Sequence, residues 1–267
     1  MLYDQHIHSR YSQDGSASIE EIAQQAIARG LRGITITDHL DFCEAEIGYH
    51  FYLEHEAQRR EEFERIREKY ADQLEIGWGI EVGHPYFMTD YAKDFLSKRS
   101  FDFVLGSVHF LRDQSDIYLI DYSQPQEVDR VLKEYFTDLL ALLEFGGFDS
   151  LAHLDYPLRV MKGKIAEPTV LPYREYIEPI LREVVRQDLA LELNTRGFMD
   201  WKKRQEPEDW VLTRYRELGG RKITVGSDAH TLSAIGGAFD QAAQKLKALG
   251  FEEISYYRNR KPFPILL

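Results

Sequence analysis

Histidine and carboxylate recur in short clusters along this chain: His6-Ile7-His8, Asp14, Thr37-Asp38-His39, Glu81, His109, His153 and Ser227-Asp228-Ala229-His230. Imidazole nitrogen and carboxylate oxygen are ligands that suit zinc, manganese and iron. A set of this size calls for more than one ion. Clustered cations of this kind carry out hydrolysis, because they lower the pKa of a bridging water toward neutrality and so supply hydroxide as a nucleophile. In an extended segment His6 and His8 project to the same side, so both can reach one ion, and Asp228 and His230 have the same relation. Glu81 sits between Gly79, Ile80, Val82 and Gly83, and a buried carboxylate there is costly unless a cation pairs with it. Each cluster alone has a plainer reading. Asp38 could cap a following helix, and a lone His109 or His153 could be a hydrogen-bonded core residue. His50, His55 and His84 read as surface or loop residues.

The elements that must position these residues alternate regularly. Strands are expected at Leu2–His8, Gly33–Asp38, Leu74–Glu81, Phe101–His109, Phe148–Asp155, Leu189–Asn194 and Ile223–Asp228. Between them the spacing predicts helices over Ser18–Arg29, Leu53–Tyr70, Gln124–Phe145 and about 173–187, 207–218 and 233–249. Ser18 is a candidate N-cap with Glu20 and Glu21 in the first turn, and Gly30 ends that helix. The Leu53–Tyr70 helix is highly charged and is expected to be solvated over most of its surface. Strands alternating with helices imply a mainly parallel sheet with right-handed crossovers. Seven such units favour a distorted (β/α)7 TIM-like barrel, one unit short of the usual eight. His6/His8, Asp38/His39, Glu81, His109, His153 and Asp228/His230 fall at or just past the C-terminal ends of the expected strands. In a barrel those ends converge on one face, so residues more than two hundred positions apart would share one pocket.

Composition narrows the function. With 33 Lys and Arg against 45 Asp and Glu, the formal net charge is −12, which disfavours long nucleic-acid partners. A small phosphorylated ligand stays compatible, since metals and arginines can reverse the local field. Cys43 is the only cysteine, so no intrachain disulfide can form. The first ligand pair follows so soon after Met1 that no signal peptide is expected, and no apolar run approaches membrane-spanning length. A cytoplasmic location and a single domain over 1–267 are the expectations.

Taken together, HIHS, YSQDG, TDH, GIEVG, GSVHF, AHLD and GSDAH, in this order over residues 6–230, resemble the PHP (polymerase and histidinol phosphatase) superfamily. Within it, AHLDYPLR, ELNTRG and the terminal YYRNRKPFPILL resemble the monofunctional L-histidinol-phosphate phosphatases. The resemblance implies a distorted (β/α)7 barrel and three divalent ions of zinc, manganese or iron. One ion would lie on His6, His8, Glu81 and Asp228, a second on Glu81, His109 and His153, and a third on Asp14, His39 and His230. Glu81, Asp228 and His230 are the expected catalytic residues. A phosphate monoester also needs donors outside the metals, for which arginine has the best-shaped head group. Arg159, just beyond His153, and Arg196, at the end of ELNTRG, lie at the family's phosphate-binding positions. The implied reaction is hydrolysis of L-histidinol phosphate to L-histidinol and phosphate. Glu44, Tyr49 and Trp201 are candidates for recognising its amine and imidazole.

The alternative is a PHP-type phosphoesterase acting on nucleotides or nucleic-acid ends. Amidohydrolase-like C–N cleavage is less compatible: no expected strand ends in the lysine that often bridges such metals, and Glu81 is available instead.

Overall fold

The computed structural model describes residues 3–43 and 47–267, so Leu2 of the expected first strand and the candidate Glu44 lie outside the described residues. The elements in chain order are β1 (Tyr3–Ile7), α1 (Ile19–Ala28), β2 (Gly33–Ile36), β3 (His39–Asp41), α2 (Ile47–Lys69), β4 (Glu75–Gly83), α3 (Thr89–Ser97), β5 (Phe103–Ser107), α4 (Pro125–Phe145) and β6 (Ser150–Leu151). They continue with α5 (Arg174–Arg186), β7 (Ala190–Asn194), α6 (Arg196–Met199), α7 (Asp209–Glu217), β8 (Ile223–Gly226), α8 (Phe239–Ala248), β9 (Glu253–Arg258) and β10 (Lys261–Leu266).

The parallel sheet runs β1-β2-β4-β5-β6-β7-β8, with β3 also on β4. β2 pairs with the first half of β4 (Gly33↔Glu75 to Ile36↔Trp78) and β3 with the second half (His39↔Glu81 to Asp41↔Gly83). These two short strands are therefore one barrel stave broken at Thr37–Asp38. Seven staves result. The ring closes where Ile7 bridges Ala229, with His8 N–H donating to the Ala229 carbonyl at 2.9 Å. The chain is a distorted (β/α)7 barrel, as the alternation implied.

The helices follow from local signals. Ser18 caps α1, and Glu21 reaches back to close a capping box, which satisfies orphan N–H groups of the first turn. Gly30, at φ +72°, turns the chain out of α1, a conformation that costs an L side chain about 1 kcal/mol or more. α4 buries Val128, Val131, Leu132, Tyr135, Phe136, Leu139 and Leu142 against the barrel, the apolar stripe read from the sequence.

Several expectations need correction. The stave expected at Phe148–Asp155 is only the two-residue β6, because the chain leaves the sheet after Leu151 and turns into a 3-10 helix at Tyr156–Arg159. The charged helix begins earlier, at Ile47, and is not simply solvated. Its Arg59 is fully buried, where its head group donates to Asp38, to the Ile36 carbonyl (3.2 Å) and to the Gly79 carbonyl (2.7 Å) and lies 3.9 Å over Trp78. A buried guanidinium is tolerated only with such complete pairing. Helix α3 and the β9–β10 hairpin were not expected. The hairpin covers the N-terminal end of the barrel: Gln5 donates to the Ser255 carbonyl and accepts from Tyr257 N–H, while the Tyr257 ring lies 5.2 Å from that of Phe103 in a buried cluster with Leu105, Ala152 and Ala190. That end is sealed, and the opposite end holds the candidate ligands.

Candidate metal centre

Glu81 is the middle of the constellation. It lies two residues before the end of β4, fully buried. Its Oε2 faces His39 Nδ1 at 2.9 Å, His6 Nε2 at 3.2 Å and His8 Nε2 at 3.4 Å. Its Oε1 faces His153 Nε2 at 3.0 Å and His109 Nε2 at 3.3 Å. Asp228 lies beside this group, with Oδ1 3.4 Å from His8 Nε2 and 3.6 Å from both His6 Nε2 and His230 Nδ1. Asp14 completes the mouth, 3.0 Å from His230 Nε2 and 3.8 Å from His39 Nε2. All nine sequence-predicted ligands thus meet at the C-terminal end of the barrel.

The backbone at this end makes the approach possible. A Cβ at Gly226 would lie 2.2 Å from the His6 Cβ and 2.6 Å from a Glu192 oxygen, so only glycine lets β8 pass behind His6. Asp228 adopts φ +52°, a sparsely populated conformation of the kind that concentrates at functional sites.

The arrangement fits cations and is hard to explain without them. A carboxylate offers about four lone-pair sites, yet five imidazoles converge on Glu81. His8 Nε2 is buried without a hydrogen-bond partner. Burial, reinforced by His39 and His230, pushes the His8 pKa down to about 3, so its lone pair is free at neutral pH. Burial opposes protonation of His6 as well, but the charges of Glu192, Glu81 and Asp228 outweigh it and raise that pKa. Burial likewise works against ionisation of Glu81, and His6, His39 and His109 overcome it, holding the carboxyl well below its usual range. Three-residue groups within ligand distance of a common point include His6–His8–Glu81, Glu81–His109–His153 and His8–His39–His230. Such nitrogen and oxygen donors suit zinc, manganese or iron.

A supporting layer orients the rings, and most of it escaped the sequence reading. Glu192 Oε1 is 2.6 Å from His6 Nδ1, Ser12 Oγ is 3.0 Å from His8 Nδ1 and Asp41 Oδ1 is 3.0 Å from His109 Nδ1. Such partners fix the tautomer and leave the other nitrogen for a metal. The signal was available: Glu192 and Asn194 alternate on β7 as His6 and His8 do on β1, and Asp41 follows His39 by two. His84, expected at the surface, is fully buried. Its Nε2 accepts the N–H groups of His109 and Phe110 at 3.1 and 3.0 Å, an arrangement visible only once β4 and β5 are adjacent. Asp38 joins Ser9, Ser12 and Arg59 rather than the ligand cluster.

The two predicted arginines both line the cavity of about 700 Å³ over the cluster, but they differ. Arg159 clasps Glu206 through Nε (3.0 Å) and Nη2 (2.7 Å) and reaches Asp228 Oδ2 through Nη1 at 2.6 Å. Arg196 donates to the Asp228 carbonyl at 3.3 Å and has no carboxylate partner among the described residues. Of the substrate-recognition candidates, Trp201 donates its indole N–H to the Leu158 and Arg159 carbonyls, Tyr49 packs against Phe42 and Tyr91, and neither lines the cavity.

A parallel barrel with histidines and carboxylates gathered at the C-terminal ends of its strands is built to hold divalent metals in a pocket. More narrowly, the chain belongs to the PHP domain family, whose model matches residues 4–196. It is 31% identical over 256 residues to a Thermotoga maritima protein named "Probable histidinol-phosphatase", with 95% of each chain covered. It is 29% identical to a Lactococcus lactis histidinol-phosphatase, covering 97% of this chain and 95% of the relative. The crystal structure of the Lactococcus lactis histidinol phosphate phosphatase, complexed with zinc, L-histidinol and phosphate, superimposes with a TM-score of 0.83 at 27% identity over 98% of both chains. The chain is accordingly a phosphoric monoester hydrolase.

Proposed function

We propose that this chain hydrolyses L-histidinol phosphate to L-histidinol and phosphate, with residues 1–267 acting as one PHP-type unit around three divalent cations. The observation that carries the proposal is the full-length similarity to a phosphatase that binds zinc, L-histidinol and phosphate, combined here with an intact nine-residue cluster. His6, His8, Glu81 and Asp228 would hold one cation, Glu81, His109 and His153 a second, and Asp14, His39 and His230 a third. When bound, these cations activate water and neutralise charge on the phosphoryl oxygens. Glu81 faces the ring sets with both of its oxygens, and Asp228 and His230, which line the cavity, would hold cations and face the substrate. Arg196 offers an uncompensated guanidinium to the phosphate. Arg159 offers the N–H groups that Glu206 and Asp228 leave uncommitted.

The test is phosphate release by metal-reconstituted protein from L-histidinol phosphate, nucleoside 3',5'-bisphosphates and short oligonucleotides. Histidinol phosphate is expected to be turned over with the highest kcat/KM. Preference for the nucleotides or oligonucleotides would overturn the assignment and favour the nucleic-acid-end reading, against which the net charge of −12 already counts for long polymers.

A further inference from the structure

The cavity over the cluster is lined by Asp14, His39, Asp41, His109, Asp116, His153, Arg159, Arg196, Asp228 and His230 among its ionisable groups. All but two face an opposite charge or a cluster carboxylate at 4 Å or less: Asp14 and Asp41 face histidines, Arg159 and Asp228 face each other, and the histidines face Glu81 or Asp14. The two exceptions among the described residues are Arg196 and Asp116. One cation and one anion are therefore left for whatever enters.

Asp116 is held in place without being neutralised. It lies on the loop beyond β5, where Phe110 and Asp116 form an antiparallel bridge and Ile117 N–H donates to the His109 carbonyl at 3.1 Å. Its Oδ1 accepts the Tyr118 N–H at 2.7 Å. This fixes the carboxylate while leaving Oδ2 with no partner among the described residues. Beside it the cavity wall carries Phe110, Tyr118 and Leu119, of which Tyr118 is 60% and Leu119 81% exposed. Large apolar side chains left open beside a binding cavity are suited to covering a flat or apolar ligand body.

We propose that Asp116 is the specificity-determining residue for the amine-bearing end of the substrate, pairing with its ammonium while Arg196 takes the phosphate. The inference rests on the phosphatase reading and extends it: the pocket selects phosphomonoesters that carry a cationic amine on a short, partly apolar body. A charge-assisted contact of this kind sets affinity and selectivity and leaves phosphoryl chemistry untouched.

The experiment compares wild type with Asp116→Asn on three substrates: L-histidinol phosphate, its analogue lacking the α-amine, and p-nitrophenyl phosphate. For Asp116→Asn, kcat/KM on histidinol phosphate is expected to fall ten-fold or more, mainly through KM. On p-nitrophenyl phosphate it should stay within two-fold, which also shows that the variant is folded and metallated. Removing the amine from the substrate should cost wild type a similar factor and cost Asp116→Asn little. Equal losses on all three substrates, or none on histidinol phosphate, would overturn the role of Asp116. If histidinol phosphate is inert with wild type, the assigned function fails separately. The role of Asp116 is then decided by whether wild type, but not Asp116→Asn, prefers phosphoethanolamine to ethyl phosphate, and loss of that contrast would overturn it.

Discussion

Around Glu81 the side chains of His6, His8 and His153 are at most 1% exposed, whereas at the mouth of the cavity His39, His230 and Asp14 are 12%, 18% and 52% exposed. The two ends are also braced differently. At the inner end, Glu192 of β7 and Ser12, a buried residue of the loop between β1 and α1, hold the far nitrogens of His6 and His8. At the outer end, His230 Nδ1 meets the carbonyl of Asp228, two residues away, and Asp14 stands on the loop between β1 and α1. The inner end is preorganised by the barrel before any cation arrives. On the proposed function, the outer end would need its cation to complete it, and so should bind more weakly and exchange first.

The largest effect is expected where both ends meet. Glu81→Gln removes the carboxylate that faces five histidines. It should reduce bound metal at both ends and lower kcat/KM by more than about a hundred-fold, beyond the 10–100-fold typical of supporting residues. Metal analysis alongside phosphate release checks it, and a fully metallated, active Glu81→Gln protein would refute the bridging role.

Next comes Glu192→Gln, which leaves every ligand in place but removes the charge that assists the hydrogen bond to His6 Nδ1. About 10–100-fold lower metal affinity or activity is expected, read by titration with zinc in the presence of a competing chelator. At the outer end Asp14→Asn should cost less, removing one cation per chain while the inner sites stay filled.

The arginines sharpen the same contrast. Arg196→Ala should lower kcat/KM about ten-fold or more, equivalent to about 1.4 kcal/mol, with an unchanged melting temperature. Arg159→Ala should also lower the melting temperature by several degrees, because it strips a partner from the buried Glu206.

The smallest effect lies away from the site. Burial pushes the Asp138 carboxyl up to about 6, against the opposing pull of Arg112. Between its ordinary value of 3.8 and about 6 the folded chain keeps a proton that the unfolded chain has lost. This group's contribution to stability therefore falls as pH rises through that window. Asp138→Asn should flatten that part of the profile in thermal melts at pH 4.5 and pH 7.

The inner and outer ends were not equally legible in the sequence. Residues that alternate on a strand, such as His6 and His8, announce a shared face through chain geometry alone, and strand ends converge in any parallel barrel. Glu192 and Asp41 obey the same alternation but carry no separate mark of a supporting role. His84 and Arg59 could not be read at all, since their partners, largely backbone groups together with Asp38 and Trp78 for Arg59, are distant in sequence. The broken β2–β3 stave was hidden for a similar reason, because Thr37 and Asp38 turn toward Ile7, Ser9 and Ser12 instead of continuing the ladder. The β9–β10 hairpin is tied to the barrel by Gln5 and Asp102, again a contact without a local signal.

The most direct test is graded removal of metal from purified protein, following metal content and phosphate release from L-histidinol phosphate together. The expected result is that one cation leaves before the others, that the stripped chain is inactive, and that zinc or manganese restores both metal content and rate. A metal-free chain that hydrolyses histidinol phosphate at an undiminished rate would contradict the account.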